Sequence, residues 1–276
     1  MVEQVAASAV EASQESALAD LELTLLLEAI LRFSGRDFSG YAQGVLKRRV
    51  AERVRAENVQ TISGLQERIL HDPDALARFV LAMSGGSGQL FYDEEFFAAF
   101  RTRVVPFLRT YTFTRIWVPK CARGEDAYSL AVILQQEGML DRAMIYATDP
   151  SELAIAAARA GVFEFEAGNA PEALAEYGEI GERTVVFGEH LKRHIIFAKH
   201  SLVTDGSLNE FHVIVARSVL RQFNSALQFR VHNLFLNSLT RLGFLCLGSN
   251  ENLRTTPHER VFLQVAGGVP IYRRMR

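Results

Sequence analysis

The side chains best suited to chemistry fall at three junctions of the chain. The stretch "IWVPKCARGEDAYSLAVIL", residues 116–134, runs from an apolar Ile116-Trp117-Val118 strand through a break at Gly124 into an amphipathic helix opened by Glu125 and Asp126. In α/β proteins such a strand, turn and helix receive a nucleotide-like ligand on the turn's backbone and the helix N-terminus. Pro119, Lys120 and Arg123 stand where close backbone approach favours small residues. Further on, "IYATDP" ends a strand on Asp149. A carboxylate there can accept from both hydroxyls of a ribose, yet Asp before Pro equally suits the entrance to the helix "PSELAIAAARAG". In "VIVARSVLRQFN", Arg217 lies at a strand end on the same sheet edge, able to pair with a ligand carboxylate or with a neighbouring acid. Glu125 and Asp126 are explained by the helix dipole without any ligand.

Other chemistries find no support. Cys121 has no histidine near it in sequence and reads as a buried inert thiol. The seven histidines lack metal-ligand spacing, so no metal site is expected, and no glycine-lysine-serine phosphate loop occurs.

The elements that must position these residues follow from the apolar pattern. Residues 1–20, rich in Ala, Ser and Glu, read as a disordered or peripheral lead. Residues 21–84 carry helical periodicity throughout and read as a small bundle, followed by "SGGSGQ", residues 84–89, as a linker or flexible loop. Beyond it, helical stretches alternate with the strands "RIWVP", "AMIYATD", "HIIFAKH", "FHVIVAR" and "GFLCLGS". That alternation predicts a mostly parallel sheet over residues 85–276, closed by an antiparallel hairpin around Gly267-Gly268. Residues 162–194 break the alternation and read as an inserted β-subdomain, with a helix from about Pro171 and a strand at Thr184 to Phe187.

With 276 residues, 49% hydrophobic, the chain can fill a core, and a formal charge of −2 gives no overall field toward nucleic acid. Two cysteines and no apolar run long enough to span a bilayer lead to the expectation of a cytoplasmic protein without membrane insertion. One local feature departs from neutrality. "LKRRVAERVRAE" places Lys47, Arg48, Arg49, Arg53 and Arg55 on what is read as an outer helix face, with Leu46, Val50 and Val54 inward. Such a run is a solvated surface or a docking site for an acidic helix or phosphate.

Taken in order, "DFSGYAQGVLKRRVAERV", "FYDEEFF", "IWVPKCARGEDAYSLA", "IYATDPSELAIAAARAGVF", "VARSVLRQF" and "LGSNENL" resemble the CheR-type chemotaxis receptor methyltransferases from about residue 21 to 276. The resemblance implies an N-terminal helical bundle joined to a Rossmann-like class I S-adenosylmethionine methyltransferase domain with a small inserted β-subdomain. It also implies methyl transfer to glutamates of receptor coiled coils, with the basic helix facing the receptor. In receptor-tethering relatives the β-subdomain carries a glycine-containing loop that captures a receptor tail; "GERTVVFGEH" has no evident equivalent.

Carried across, the family's cofactor positions fall on Gly124, Glu125, Asp149, Ser201, Leu202, Arg217 and Ser218, and on Gly86, Gly88 and Lys120. Several have changed chemistry. Gly86, Gly88 and Tyr92 stand for the family's Asn, Thr and Arg, Lys120 for a glycine, Ser201 for an Asn, and Gln222 for the tyrosine near the transferred methyl. Trp117, Tyr128, Leu202, Phe223 and the terminal "IYRR", which build the fold, remain. The expectation is a pseudo-methyltransferase that binds a protein partner, such as a chemoreceptor-like coiled coil, or an anionic small ligand ringed by Lys120, Arg123 and Arg217. The alternative is an active, divergent S-adenosylmethionine-dependent protein-glutamate methyltransferase; S-adenosylmethionine or S-adenosylhomocysteine is the cofactor if binding is retained.

Overall fold

The structure, a computed structural model, describes residues 2–86, 88–165, 172–208, 210–254 and 256–276, with side chains from residue 14 onward except that of residue 15. The chain divides into two compact units, Met1–Met83 and Ser84–Arg276.

The first unit is helical: α1 (Val2–Ser34), α2 (Gln43–Ala56), α3 (Ile62–His71) and α4 (Pro73–Ser84). Helix α1 spans the stretch read as a lead. Leu23, Leu26 and Ile30, three and four residues apart, form its buried stripe, and Phe38 meets Phe79 edge to face at 5.5 Å. Thr61 caps α3 by accepting from the Gly64 N–H at 3.0 Å. The five-cation outer face expected on α2 is corrected for two members. Arg49 is buried and donates to the Met83 carbonyl, and Arg53 is largely buried against Glu57. Helical geometry explains this, because positions three and seven beyond Leu46 share its inward face. Lys47 pairs with Asp20 at 2.5 Å, and Arg48 lies 3.9 Å from Glu52. Glu57 also accepts from Arg78 at 2.7 and 2.9 Å, and Arg78, against the opposing pull of burial, holds its carboxyl at about 2.

The second unit opens with α5 (Glu94–Ala99), a π-helical turn (Phe100–Val104) and α6 (Val105–Leu108). Then follow β1 (Thr114–Pro119), α7 (Glu125–Gln136), β2 (Ala143–Asp149), α8 (Glu152–Ala160), β3 (Val162–Glu164), β4 (Gly178–Ile180) and β5 (Thr184–Phe187). The remainder is α9 (Glu189–Lys192), β6 (Ile195–Lys199), β7 (Phe211–Ala216), α10 (Ser225–Ser238), β8 (Leu239–Leu247), β9 (Phe262–Gln264) and β10 (Ile271–Arg274). Among the described residues the main sheet runs β6-β2-β1-β7-β8-β10-β9. Its first five strands pair in parallel, and β10 is antiparallel to both neighbours, which gives the Rossmann-like sheet with a closing hairpin. A separate antiparallel sheet, β3-β5-β4, forms the inserted subdomain. Of its expected helix, the start near Pro171 lies outside the described residues, and Glu172–Leu174 is a single 3₁₀ turn.

The core sits on both faces of β1. Trp117 is fully buried, stacks on Phe211 and donates from Nε1 to Thr148 Oγ1 at 2.9 Å. Tyr128 of α7 stacks on Phe187 at 4.8 Å and donates its hydroxyl to the Ala158 carbonyl at 2.9 Å, fixing α7 to α8 and to the small sheet. These two rings hold β1, α7 and β2 in register. Register is what brings the turn after β1 beside the end of β2.

Candidate functional site

The turn after β1 is built from alternating left-handed residues: Lys120 at φ +50°, Ala122 at +49° and Gly124 at +93°. Gly124 is required there twice over. Its φ is left-handed, and a Cβ would lie 3.3 Å from both Ala158 Cβ and Phe197 Cε1. Lys120 and Ala122 adopt the same region at a cost of roughly 1–3 kcal/mol each. The turn is held by Cys121 N–H donating to the Thr148 carbonyl at 2.9 Å and Gly124 N–H to the Cys121 carbonyl at 2.8 Å. Burial pushes the Cys121 thiol well up, so it is no thiolate nucleophile.

Asp149, at the end of β2, has no exposed surface. Its Oδ1 accepts from the Ser84 hydroxyl at 2.5 Å and the Ser151 N–H at 2.9 Å, and its Oδ2 from the Ala122 N–H at 3.1 Å. Burial raises its carboxyl, opposed by the Lys120 charge and these hydrogen bonds. The capping role weighed for Asp149 belongs to Ser151, whose Oγ accepts from Ala154 N–H at 3.2 Å; Asp149 braces that cap.

Gly86, in the glycine-rich stretch read as a linker or flexible loop, packs onto the same turn. A Cβ on Gly86, at φ +130°, would meet Ala122 Cβ at 2.8 Å and Glu125 Oε1 at 3.4 Å, and the Gly88 backbone is among the groups that oppose the rise of the Glu125 carboxyl. Phe91 N–H donates to Ser129 Oγ at 3.0 Å. Burial raises Glu125 as well, against its backbone hydrogen bonds. Ser84, Gly86, Gly88, Lys120, Glu125 and Asp149 are thus brought together, with the chain's own groups on both acids.

A second cluster surrounds Arg217, at the end of β7. Its guanidinium donates to Asp126 Oδ1 at 2.7 Å and to the Tyr92 carbonyl, lies 3.7 Å from Asp93, and covers the Phe96 and Phe97 rings at 4.4 and 4.9 Å. The neighbouring-acid alternative is the one observed. The expectation of an anion pocket ringed by Lys120, Arg123 and Arg217 is corrected, because Lys120 is buried beside Asp149 and Arg217 is committed to Asp126. Arg123 is exposed. The Tyr92 side chain is 54% exposed, so what it offers the cluster is its carbonyl.

A third cluster was missed in the sequence reading, apart from its two family positions. Gln222, buried, donates from Nε2 to the Ser218 carbonyl at 2.7 Å, and its Oε1 has no partner among the described residues. Ser218, at φ +57°, donates its N–H to Glu251 Oε2 at 2.9 Å. Glu251 also accepts from Gly248 N–H at 2.8 Å and Arg221 N–H at 3.0 Å, clamping the loop after β7 to the loop after β8. Its signal was present in "LGSNENL", a lone acid in a small polar loop after an apolar strand. Ser201 uses its hydroxyl within its own turn, accepting from Val203 and Thr204 N–H at 3.2 and 3.3 Å, and Leu202 is buried. Among the described residues no group of three or more His, Cys, Asp or Glu could hold a metal, and no helix is long and apolar enough to cross a membrane.

Comparison with known proteins matches residues 87–267 to the family described as "CheR methyltransferase, SAM binding domain" and residues 21–84 to "CheR methyltransferase, all-alpha domain". A Pseudomonas putida protein, named provisionally as methyltransferase Cher3, is 35% identical over 244 residues, 85% of this chain and 89% of that one. The chemotaxis protein methyltransferase of Listeria innocua is 26% identical over 241 residues, 85% of this chain and 92% of that one. Chemotaxis protein methyltransferase 1 of Pseudomonas aeruginosa is 26% identical over 250 residues, 84% and 89% of the two chains.

Proposed function

Because the chain belongs to the CheR methyltransferase family, we propose that it works as a binding member of that family: a cytoplasmic signalling or scaffolding protein that engages a protein partner, with methyl transfer lost. One observation carries the reading. The Asp149 carboxylate, matched to the family's ribose-binding acid, is closed to solvent and already accepts from Ser84, Ala122 and Ser151. S-adenosylmethionine does not fit the residues as they are arranged. A ribose on Asp149 would have to displace the Ser84 hydroxyl, and Gly86 lies against Ala122 of the same turn. The remaining groups add to this. Tyr92 brings no cation to the site, and the Gln222 amide is tied to Ser218. Each well-placed polar group lost from a transfer site removes roughly 3–4 kcal/mol of barrier lowering, so two such losses would slow transfer by about 10⁴- to 10⁶-fold.

Calorimetry with S-adenosylmethionine and S-adenosylhomocysteine tests this: no heat at millimolar ligand is expected, and micromolar binding overturns it. A second reading is favoured by the relatives. The Listeria and P. aeruginosa proteins are named as chemotaxis methyltransferases, and nothing in those names speaks for lost activity or scaffolding. On that reading the chain is an active, divergent methyltransferase of protein carboxylates, using Glu125, Asp149 and Arg217 with substitute contacts from Tyr92 and Gln222. Base-labile methyl esters appearing on a receptor coiled coil incubated with the protein and S-adenosylmethionine would establish it.

A further inference from the structure

We propose that a cleft between the loop after β8 and the hairpin of β9 and β10 is a binding site for a small organic oxyanion, a carboxylate or a phosphate ester held by Arg254. The cleft lies two to three strands along the sheet from β1 and its turn, so it stands whichever reading of methyl transfer holds.

The topology puts this cleft where open α/β sheets receive ligands. Strands β1, β7 and β8 run parallel and end on one edge, and antiparallel β10 begins there, with Ile271 opposite Cys246. The cleft encloses about 480 Å³, a size that holds a small ligand, and Ser249, Asn252, Arg254, Gln264, Gly267 and Tyr272 are among its lining residues. Both walls are fixed before any ligand arrives. Glu251 pins the first through the Gly248, Ser218 and Arg221 N–H groups. On the second, Gln264 Nε2 donates across the hairpin turn to the Ala266 and Val269 carbonyls at 3.3 and 3.1 Å. Leu247 N–H joins the two walls by donating to the Pro270 carbonyl at 2.9 Å. Walls held this way need little further ordering when a ligand enters.

The groups that remain after the walls are built decide the ligand. Glu251 also lines the cleft, but both its oxygens already accept from backbone N–H groups, so its charge is met from within the fold. Asn252 Oδ1 accepts from the Arg254 N–H at 3.0 Å, which leaves the amide NH₂ as the donor available. Ser249, Asn252, Arg254, Gly267 and Gly268 are all exposed, and the two glycine N–H groups make no hydrogen bond among the described residues. The cleft therefore presents mostly donors together with a guanidinium, whose planar fork matches a carboxylate or a phosphate. One charge opposes. Exposed Glu95 approaches the hairpin tip, its Oε1 3.9 Å from where a Cβ on Gly268 would stand. The ligand that fits is anionic at one end and uncharged along its body, with the anionic end at Arg254 and away from the tip.

The test titrates the full chain with glucose 6-phosphate and with gluconate, a phosphate ester and a carboxylate on similar polyol bodies, and with neutral glucose as the control, following backbone amide shifts by NMR. At least one anion should bind with a Kd of about 1 mM or below and move the Ser249, Gly267 and Gly268 amides, while glucose does not. Whichever anion binds identifies the oxyanion. Arg254→Ala, its folding checked by a thermal melt, should weaken that binding by about tenfold or more. Gly267→Glu, at a position where an added Cβ meets nothing within 4 Å, should weaken it as well by placing a like charge on the lining. No movement of these amides with either anion at about 10 mM overturns the proposal. So does binding that glucose matches, or that a folded Arg254→Ala leaves unchanged; if that variant does not fold, undiminished binding by Gly267→Glu overturns it equally. None of these readouts uses S-adenosylmethionine, so failure here leaves the proposed function where it stands.

Discussion

Replacing Glu251 by alanine removes the carboxylate that ties the loop after β7 to the loop after β8. The carboxylate, 6% exposed, accepts from Gly248, Ser218 and Arg221 at 2.8, 2.9 and 3.0 Å. Hydrogen bonds to a charged acceptor each contribute roughly 1.5–3 kcal/mol, but burying the charge opposes them, and burial raises this carboxyl overall. Water entering the vacated space would recover part of what the three N–H groups lose. The net expectation is a loss of about 3–5 kcal/mol. Glu251→Gln keeps one acceptor oxygen but turns an NH₂ toward N–H donors, so about half that loss is expected. Urea unfolding at pH 7, with unchanged slope, reads both values. An alanine variant within 1 kcal/mol of wild type would refute the reasoning, because it would mean that the loops hold their left-handed Ser218 without the clamp.

Two further outcomes follow from groups away from this loop. His232 and His258 lie buried with ring centroids 5.7 Å apart, and burial, with His258 beside it, lowers the His232 imidazole to about 4. The fold keeps His232 neutral, so its stability contribution is intact above the unfolded value near 6.5 and falls as pH drops from there toward 4, by up to about 3 kcal/mol; His232→Phe should flatten that window in a pH series of thermal melts. On α2, Arg49→Ala should destabilise the first unit by about 2 kcal/mol by removing a buried guanidinium and its hydrogen bond to the Met83 carbonyl, whereas exposed Arg55→Ala should stay within about 0.5 kcal/mol in the same denaturation assay.

The sheet was legible because β1, β2, β6 and β7 are short apolar runs separated by helical periodicity, a pattern that admits few topologies. The helical first unit was legible for a similar reason, since Leu23, Leu26 and Ile30 mark an inward stripe without any tertiary information. Arg49 and Arg53 were misplaced by charge alone, although their spacing from Leu46 already put them inward. Charge indicates a solvated surface only until geometry says otherwise. The contacts that decide the site were not legible. Ser84 meets Asp149 across 65 positions and Arg217 meets Asp126 across 91, and neither residue's local pattern encodes its partner. Asp149 illustrates the difference: its place at a strand end could be read, but whether its oxygens face a ligand or the chain could not.

Strand β10 lies between β8 and β9, although β9 precedes it along the chain. During synthesis the three residues of β9 leave the ribosome with no neighbour to pair with, carrying Leu263 at 54% exposure even in the finished fold. They wait until Ile271–Arg274 arrive to bridge them to β8. Cutting the chain ahead of residue 271 would therefore leave two raw edges, at β8 and at β9, and such a fragment should clump with its own kind rather than settle as a smaller version of the domain.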